Sequence, residues 1–301
     1  MLTKTSARSW RDYDRAADYH HIEVLPQNGA VLAEIRGVDL TKPIADEVRE
    51  EILRAFAENL VIYLRGQQAM TREQHIAFAE MFGPLQRIPH IFSVDGYPEV
   101  QIVERTREDS RRVVGEGFHN DSTFMATPPT AVVMRAVDVP EFGGDTAFAN
   151  LYLAYETLSE PMRAFVDTLI GVNSAARLFG AGADQSKVMM KQMDTRAGDA
   201  EVEHPIVCVH PRTGLKHLFL NPVYTRRLKG FSETESQLIL GFLHDHIKSM
   251  AFTGRVRWEP GTVLVWDNWA AQHSAIADYQ GQYRYLERVT TGRMKLRGVA
   301  A

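Results

Sequence analysis

The sequence has a single cysteine, no long apolar run and no large excess of charge of either sign. Because Cys208 is the only cysteine among 301 residues, no disulfide can form within the chain, and we expect a reducing compartment. Cys208 lies in the apolar run 205–209, which indicates a core residue and not a nucleophile. The net charge of −4, with acids and bases interspersed, argues against a nucleic-acid partner.

Targeting and membrane segments are missing as well. No stretch reaches the roughly 18 apolar residues that a membrane span needs, so we expect no membrane partner. Residues 1–21 are polar and contain no apolar core of a signal peptide, which predicts a flexible leader and a cytoplasmic protein. The 45% hydrophobic and 24% charged residues are ordinary for a globular chain. A length of 301 residues allows two domains, but a single mainly β or mixed domain of this size is common, so residues 22–301 are expected to form a single domain.

Apolar spacing and end signals predict several helices. Thr71 with Gln74, and Ser232 with Glu235, have the spacing of capping boxes, which mark the first turn of a helix. The predicted helices cover Asp46–Asn59, a segment from Thr71 to Gly83, a stretch near Leu151–Ile170, and Glu233–Ile247.

Short alternating or apolar segments predict many β-strands. The first two flank Pro26-Gln27-Asn28-Gly29, a turn signal that indicates a hairpin. So many strands with few helices favour a mainly β fold with helical insertions and a double-stranded β-helix (jelly roll) core. The predicted strands are Ile22–Leu25, Ala30–Ile35, Leu60–Leu64, Val100–Val103, Phe118–Phe124, Thr130–Val137, Asp145–Ala149, Ile206–His210, Leu218–Leu220, Thr262–Trp266 and Arg284–Met294.

One long segment, residues 179–203, has neither the helical nor the strand period. A loop of this length in a compact domain is typically a functional lid or a disordered segment, so we predict a lid there. Met189, Met190 and Met193 would give such a lid a pliable apolar surface, with plain packing as the alternative.

The segment from Gly117 to Phe124 contains His119 and Asp121, which are two residues apart. On a strand such residues share a face, so an imidazole and a carboxylate would point to one place. His273, far downstream, is the candidate for a third ligand. Two histidines and one carboxylate form the facial triad of non-haem Fe(II) oxygenases. Alone, the His-x-Asp pattern is weak, because a surface or capping pair has the same spacing.

A second pattern involves two arginines on one predicted strand. Arg284 and Arg288 are four positions apart on the strand and therefore face the same side, about 13 Å apart at the usual strand rise. Arginine suits bidentate capture of a carboxylate, and at that separation the two indicate two anion sites. The alternative is a solvated basic edge strand.

Several segments appear in order and at fitting intervals, and together they resemble a known family. The chain resembles the taurine/2,4-dichlorophenoxyacetate (TauD/TfdA) dioxygenase family of 2-oxoglutarate enzymes over roughly residues 22 to 295. Within that family it looks similar to the enzymes of aryloxyalkanoate herbicides such as phenoxypropionates. The segments are Gly37-Val-Asp-Leu40, Phe82-Gly-Pro-Leu85, His119-Asn-Asp121, Gly143-Gly-Asp-Thr146, Trp266-Asp-Asn268 and His273-x5-Tyr279-x4-Arg284-x3-Arg288.

The resemblance implies a role for each matching residue. His119, Asp121 and His273 match the ligands of Fe(II). Thr146 and Arg284 match the residues that bind the distal carboxylate of 2-oxoglutarate, which reacts with O2 at the iron. Arg288 matches the arginine that holds the anionic head of the primary substrate.

The sequence departs from the taurine enzymes where those contact their polar substrate. An ungapped match places Ile88 and Ile91 at the positions of a His and a Tyr, and Gly115 at the position of an Asn. The loss of three polar groups argues for a larger, apolar substrate. His90 would restore polarity if the register were shifted by one or two residues.

The resemblance implies hydroxylation of a small anionic organic substrate, with formation of succinate and CO2. For an aryloxyalkanoate the ether is then cleaved to a phenol and an oxo acid, and the alternative substrate is an alkyl sulfonate or sulfate. The same three ligands would also suit a zinc hydrolase, and a catalytically silent binding module is a third hypothesis. The remaining histidines are expected in surface or packing roles, with a lesser chance that His204, His210 or His217 touches the site. The surface is compatible with a homo-oligomer.

Overall fold

A computed structural model of the chain describes residues 18–88, 91–109, 113, 115–179, 199–292 and 294–299, and it is mainly β with a few helices. The strands are β1 Glu23–Pro26, β2 Ala33–Arg36, β3 Val61–Leu64, β4 Ser93–Val94, β5 Tyr97–Arg105, β6 Ala131–Asp138, β7 Thr146–Asn150, β8 Ile170–Asn173, β9 Val202–Pro205, β10 Val207–Val209, β11 Lys216–Leu218, β12 Thr225–Leu228, β13 Thr253–Val256, β14 Val263–Asp267, β15 Ala271–Ala275 and β16 Arg284–Thr291. The helices are α1 Asp46–Asn59, α2 Arg72–Glu80, α3 Leu151–Glu156, α4 Glu160–Val166, α5 Ala176–Phe179 and α6 Glu233–Ile247, with a 3-10 helix at Met250–Phe252.

The largest sheet has eight strands in the order β1-β2-β3-β14-β6-β16-β5-β4. On one of its faces, Val132 and Trp266 share a buried cluster with Phe148 and Ala271, which belong to the three-stranded sheet β13-β7-β15. Its other face packs against α1 and α2. Two smaller sheets, β12-β8-β9 and β10-β11, share a third cluster with α3 and α6.

The helices that were predicted from caps and periodicity are confirmed. α1 and α6 have the predicted bounds. The capping boxes at Thr71 and Ser232 are both formed, each with the reciprocal bond from the third helical residue. Local signals suffice here because a cap satisfies backbone N–H groups within one turn of the chain.

One strand prediction was wrong, and several short strands were missed. Residues 118–124 form a turn and not a strand, apart from an isolated bridge at His119. The stretch 151–170, predicted to be helical, contains two short helices, and its last residue begins β8. Strands β4, β8, β9, β12, β13 and β15 were not predicted, because each has no more than five residues and so shows little periodicity.

The hairpin prediction is confirmed, since β1 and β2 pair antiparallel from Glu23 with Arg36 to Pro26 with Ala33. β16 lies between β6 and β5, so the alternative of a solvated edge strand is wrong. Cys208 is fully buried on β10, and burial raises the pKa of its thiol above the usual range.

Parts of the predicted leader and lid, and His90 between the two isoleucines, lie outside the described residues. The leader is described only from residue 18, where Tyr19 donates a hydrogen bond to Glu58 of α1. The predicted lid lies outside the described residues at 180–198, including its three methionines, and its last residues belong to β9, which pairs with β8. Among the residues that the structure describes, no helix is long and apolar enough to cross a membrane.

Candidate metal centre

Two histidines meet where the β13-β7-β15 sheet continues into the turn at 115–125. His273 lies on β15 opposite Phe148 of β7. Its backbone exchanges both hydrogen bonds with His119, at 2.9 and 3.0 Å, and the two imidazole centroids are 4.2 Å apart. A single antiparallel bridge therefore fixes residues that are 154 positions apart.

Asp121 reaches the same place from a turn. Ser122, which follows it, has a φ of +53°, in the left-handed region that non-glycine residues rarely adopt. The premise that His119 and Asp121 share one face of a strand was thus wrong, but the predicted convergence is confirmed. Ligand atoms of His119, Asp121 and His273 all lie within 4.8 Å of one another.

The donor atoms have the separations that a metal ion requires. Asp121 Oδ1 lies 3.7 Å from His119 Nε2 and 4.0 Å from His273 Nε2, about twice a metal–ligand bond of roughly 2.1 Å. His119 Nδ1 donates to the Gly117 carbonyl at 2.8 Å, which leaves the Nε2 lone pair free. Burial, with His119 next to it, lowers the pKa of His273 to about 3, so this ring is neutral as a ligand must be.

A second cluster forms around Trp258, next to the Gly143-Gly144 turn. Trp258 Nε1 donates to the Thr146 hydroxyl at 2.9 Å, and the same indole lies 5.8 Å from the Arg284 guanidinium carbon. A Cβ on Gly144 would approach Tyr279 to 3.1 Å and Arg284 to 3.4 Å, and φ is +68°, so glycine is required at this turn.

Arg284 is 5% exposed, and its Nε has no hydrogen-bond partner. Within the described part of the chain no carboxylate is close enough for an ion pair with it, and burial lowers its pKa from the usual range. A buried guanidinium with an unpaired donor fits the carboxylate of a bound acid. Thr146, with its hydroxyl held by Trp258, fits the same ligand.

Arg288 is on the same face of β16, and its Nη1 donates to Asp121 Oδ2 at 2.9 Å. Gln101 on β5 accepts from Arg288 Nε at 3.0 Å. The carboxylate of Asp121 is therefore divided, with Oδ1 towards the two histidines and Oδ2 towards the arginine. The predicted common face of Arg284 and Arg288 is confirmed, and it is the face that carries the site.

The three positions predicted to make the substrate pocket apolar differ in how near they lie. Gly115 is beside the candidate ligand His119, since a Cβ there would stand 3.4 Å from His119 Cε1. The backbone oxygen of Ile88 accepts weakly from Gln101 Nε2 at 3.5 Å, so Ile88 is next to the residue that holds Arg288. Ile91 is 8% exposed and bonds through its backbone N–H to Ile88.

Three residues that border the site were not predicted. Two of them, Trp258 and Gln101, hold Thr146 and Arg288 in place. The third, Tyr224, is a buried phenol whose pKa is raised by burial and by the nearby charge of Asp121, and it packs on Phe124 with ring centroids 5.0 Å apart. A tryptophan in the polar segment before β14 was a usable signal, but nothing local marks Gln101 or Tyr224.

Four of the remaining histidines, His75, His204, His210 and His217, are buried. His210 Nε2 donates to Asp267 Oδ2 at 2.9 Å, and His204 Nε2 contacts the carbonyls of Thr123 and Met125 at 3.0 Å. His75 and His217 are fully buried, and burial lowers the pKa of each to about 4. His204 therefore contacts the turn that contains Asp121, in addition to being packed in the interior.

Two histidines and a carboxylate, beside a buried arginine that has no carboxylate partner in the described chain, define the class of non-haem iron oxygenases that use a keto acid. Residues 22–290 match the family model "Taurine catabolism dioxygenase TauD, TfdA family", and the chain belongs to that family. It is a 2-oxoglutarate-dependent dioxygenase that uses Fe(II) and O2. The hypotheses of a zinc hydrolase and of a silent binding module are therefore wrong.

Relatives agree with this assignment over most of their length. The chain is 34% identical over 267 residues to an alkylsulfatase of Acinetobacter baylyi, covering 87% of this chain and 82% of that one. It is 34% identical over 277 residues to an alpha-ketoglutarate-dependent sulfate ester dioxygenase of Pseudomonas putida, covering 89% of each. The crystal structure of a taurine dioxygenase from Burkholderia xenovorans matches with a TM-score of 0.79 and 34% identity, covering 93% and 92%.

Proposed function

We propose that this dioxygenase oxidises an alkyl sulfate ester, with His119, Asp121 and His273 as the iron ligands. The observation that supports this best is the pair of buried arginines on one face of β16, which provides one anion site for the keto acid and another for the substrate. The names of two relatives, an alkylsulfatase and a sulfate ester dioxygenase, favour a sulfate head over carboxylate or sulfonate. We also infer that the two facing sheets form a double-stranded β-helix (jelly roll) within a single domain spanning 22–301.

In this proposal Arg284 and Thr146 hold the distal carboxylate of 2-oxoglutarate. Arg284 would form a charge-assisted pair in which its unsatisfied Nε has an acceptor. The Thr146 hydroxyl proton is free to be donated, because its oxygen accepts from Trp258. Iron and 2-oxoglutarate, when bound, supply the oxidation that places a hydroxyl group on the substrate with release of succinate and CO2. The chain's own contribution is to orient the reactants and exclude water.

Arg288 holds the sulfate group of the substrate, and Gln101 holds Arg288 in place. Hydroxylation of the carbon that bears the ester oxygen gives a hemiacetal-like sulfate. The new O–H bond and the C–O bond to sulfate then break, and a C=O bond forms. The products are an aldehyde and sulfate, with the proton passing to solvent or sulfate. Such a reaction requires that one carbon of the substrate is held at a fixed position relative to the iron. The salt bridge from Arg288 to Asp121 fixes the distance between the anion site and the metal site.

A second candidate is the aryloxyalkanoate class, whose carboxylate would occupy the same arginine. The apolar residues Ile88 and Ile91 and the small Gly115 favour a bulky apolar body in either case. The two candidates differ in product, since an aryloxyalkanoate gives a phenol and an oxo acid.

The test is substrate-triggered turnover of the iron-loaded protein with 2-oxoglutarate and oxygen. We expect an eight-carbon alkyl sulfate to stimulate oxygen uptake and to release sulfate and succinate in equal amounts, whereas the matched alcohol gives none. Phenoxypropionate and the matched sulfonate are run in parallel. Higher kcat/KM for phenoxypropionate, with phenol release, would establish the second candidate, and no stimulation by any of these anions would refute both.

A further inference from the structure

The segment Trp266-Asp267-Asn268 supplies no ligand to the metal, keto-acid or substrate sites, yet its asparagine contacts the backbone of a proposed iron ligand. Asn268 is fully buried, and its Oδ1 accepts from the Asp121 N–H at 2.8 Å. Its Nδ2 donates to the Asp121 carbonyl at 3.1 Å and to the Pro129 carbonyl at 2.9 Å. One side chain thus satisfies both backbone polar groups of Asp121.

Asp121 needs such a partner because it lies in a turn, away from the strand ladders. Buried backbone N–H and C=O groups are nearly always hydrogen-bonded, and an unsatisfied one costs about 1–3 kcal/mol. A carboxamide offers one acceptor and a donor group side by side, as a neighbouring strand would. Asn268 therefore substitutes for a strand at the position where the carboxylate must be aimed.

The neighbours of Asp121 are held by similar means from distant elements. Asn120 donates to the Asn268 carbonyl at 2.7 Å, and Asn221 donates to the Asn120 carbonyl at 2.5 Å. His204 bonds the carbonyls of Thr123 and Met125. The turn at 119–125 is therefore fixed by side chains that lie as far as 147 residues away, which a local loop sequence does not provide.

Asn268 is itself firmly placed. Asp267 Oδ1 accepts from the backbone N–H groups of Trp269 and Ala270 at 2.9 and 3.0 Å, and Oδ2 accepts from His210. The backbone N–H of Asn268 donates to the Thr130 carbonyl at 2.9 Å. The carboxamide consequently projects from a turn with little freedom to move.

We infer that Asn268 is a positioning residue of the metal centre, whose carboxamide holds the Asp121 peptide so that the carboxylate is preorganised for the ion. The inference rests on the proposed role of Asp121 as a ligand. Outer partners of metal ligands typically account for about 10- to 100-fold in metal affinity. A group that served the fold alone would change stability and leave the affinity for metal unaltered.

Gln67 provides a matched control far from the site in sequence and contacts. It is also a buried carboxamide with one acceptor and two donor bonds, since it accepts from Leu40 N–H at 2.9 Å and donates to the carbonyls of Val38 and Arg65 at 3.0 and 2.9 Å. Its replacement removes the same set of hydrogen bonds without touching the turn at 119–125.

The experiment measures the dissociation constant for Mn(II), a redox-stable substitute for Fe(II), from the EPR signal of the free ion in the full-length protein. We expect Asn268→Ala to raise this constant at least about tenfold, Asn268→Ser to give an intermediate value, and Gln67→Ala to stay within about twofold of the wild type. Thermal unfolding of the metal-free proteins should shift by similar amounts for Asn268→Ala and Gln67→Ala.

Should Asn268→Ala fail to fold, Asn268→Ser, which keeps one hydrogen-bonding group, carries the comparison. Unchanged Mn(II) affinity in a folded Asn268 variant, or equal weakening in Gln67→Ala, overturns the inference while the proposed function stands. If the wild type binds Mn(II) no more tightly than its His119→Ala variant does, the ligand assignment fails, and the inference fails with it.

Discussion

Both faces of β16 carry buried charged side chains, but the two faces differ in how those charges are paired. On one face Glu287, fully buried, accepts from Arg72 and from Arg135, each at 2.7 Å. On the opposite face Arg284 has no carboxylate partner in the described chain, and Arg288 shares its partner Asp121 with the two histidines. A charge that serves the fold is matched within the protein, whereas the charges of the site leave donors for ligands.

This difference has an energetic meaning. Removing one member of a buried ion pair leaves the other charge buried without a partner, which lowers the free energy of unfolding by about 3–5 kcal/mol. Arg284 has no carboxylate partner in the described chain, so its loss breaks no ion pair and should appear mainly in ligand binding. Substitutions on the two faces should therefore separate stability from activity.

The largest expected effect is at the metal ligands. His119→Ala and Asp121→Ala should each reduce substrate-triggered succinate formation by more than about 1000-fold, or about 4 kcal/mol, because two ligands do not retain a reactive ion. Succinate is measured after reconstitution with Fe(II). Activity that persisted in both variants would contradict the triad assignment.

Glu287→Leu tests the opposite face. We expect its free energy of unfolding to fall by about 3–5 kcal/mol, since Arg72 and Arg135 lose their shared partner. Denaturant unfolding measures the loss, and turnover per folded molecule should remain near that of the wild type. Glu287→Gln, which keeps the side-chain volume, serves as the milder control. A loss of turnover without a loss of stability would contradict the proposed difference between the two faces.

Arg284→Gln should raise the KM for 2-oxoglutarate about 100-fold, or about 2.7 kcal/mol, because the ligand carboxylate loses its charged partner. The free energy of unfolding should fall much less than in Glu287→Leu, since no ion pair is broken and a buried charge is removed. Arg284→Lys should restore only part of the affinity, because an ammonium lacks the planar fork. An unchanged KM would place the keto acid elsewhere.

The smallest effect concerns pH. His75, beside the Glu287 cluster, donates to the Val133 carbonyl, and burial lowers its pKa to about 4. The folded state therefore binds this proton less readily than the unfolded chain, whose histidine titrates near 6.5, so stability is complete above pH 6.5 and falls as the pH drops towards 4. His75→Gln should reduce the slope of unfolding free energy against pH in that window by about 1.4 kcal/mol per unit. An identical slope would show that this ring does not titrate on unfolding.

The sequence allowed prediction of those features that depend on nearby residues or on regular strand alternation. Helices α1 and α6 followed from periodicity and caps, and the common face of Arg284 and Arg288 followed from the regularity of β16. The backbone at Asp121 was not predictable in this way. Its alternating sequence imitates a strand, and the turn is decided by Asn221 and Asn268, which lie 100 or more residues downstream.

The convergence of the triad was nevertheless predicted, although for the wrong local reason. His273 was assigned as the third ligand from the resemblance to the family, because no local sequence pattern connects it with His119. Gln101 and Tyr224 escaped prediction because their proximity to Arg288 and Asp121 depends on how strands and loops pack, and neither position has a distinctive local sequence.

The single cysteine has a practical consequence for all of these measurements. Cys208 is fully buried on β10, and its raised pKa keeps the thiol protonated. Thiol reagents attack the exposed thiolate, so the native chain should be labelled only when β10 opens. The rate of labelling, followed by the mass of the protein over time, therefore reports how readily β10 opens. No cysteine has to be introduced as a probe.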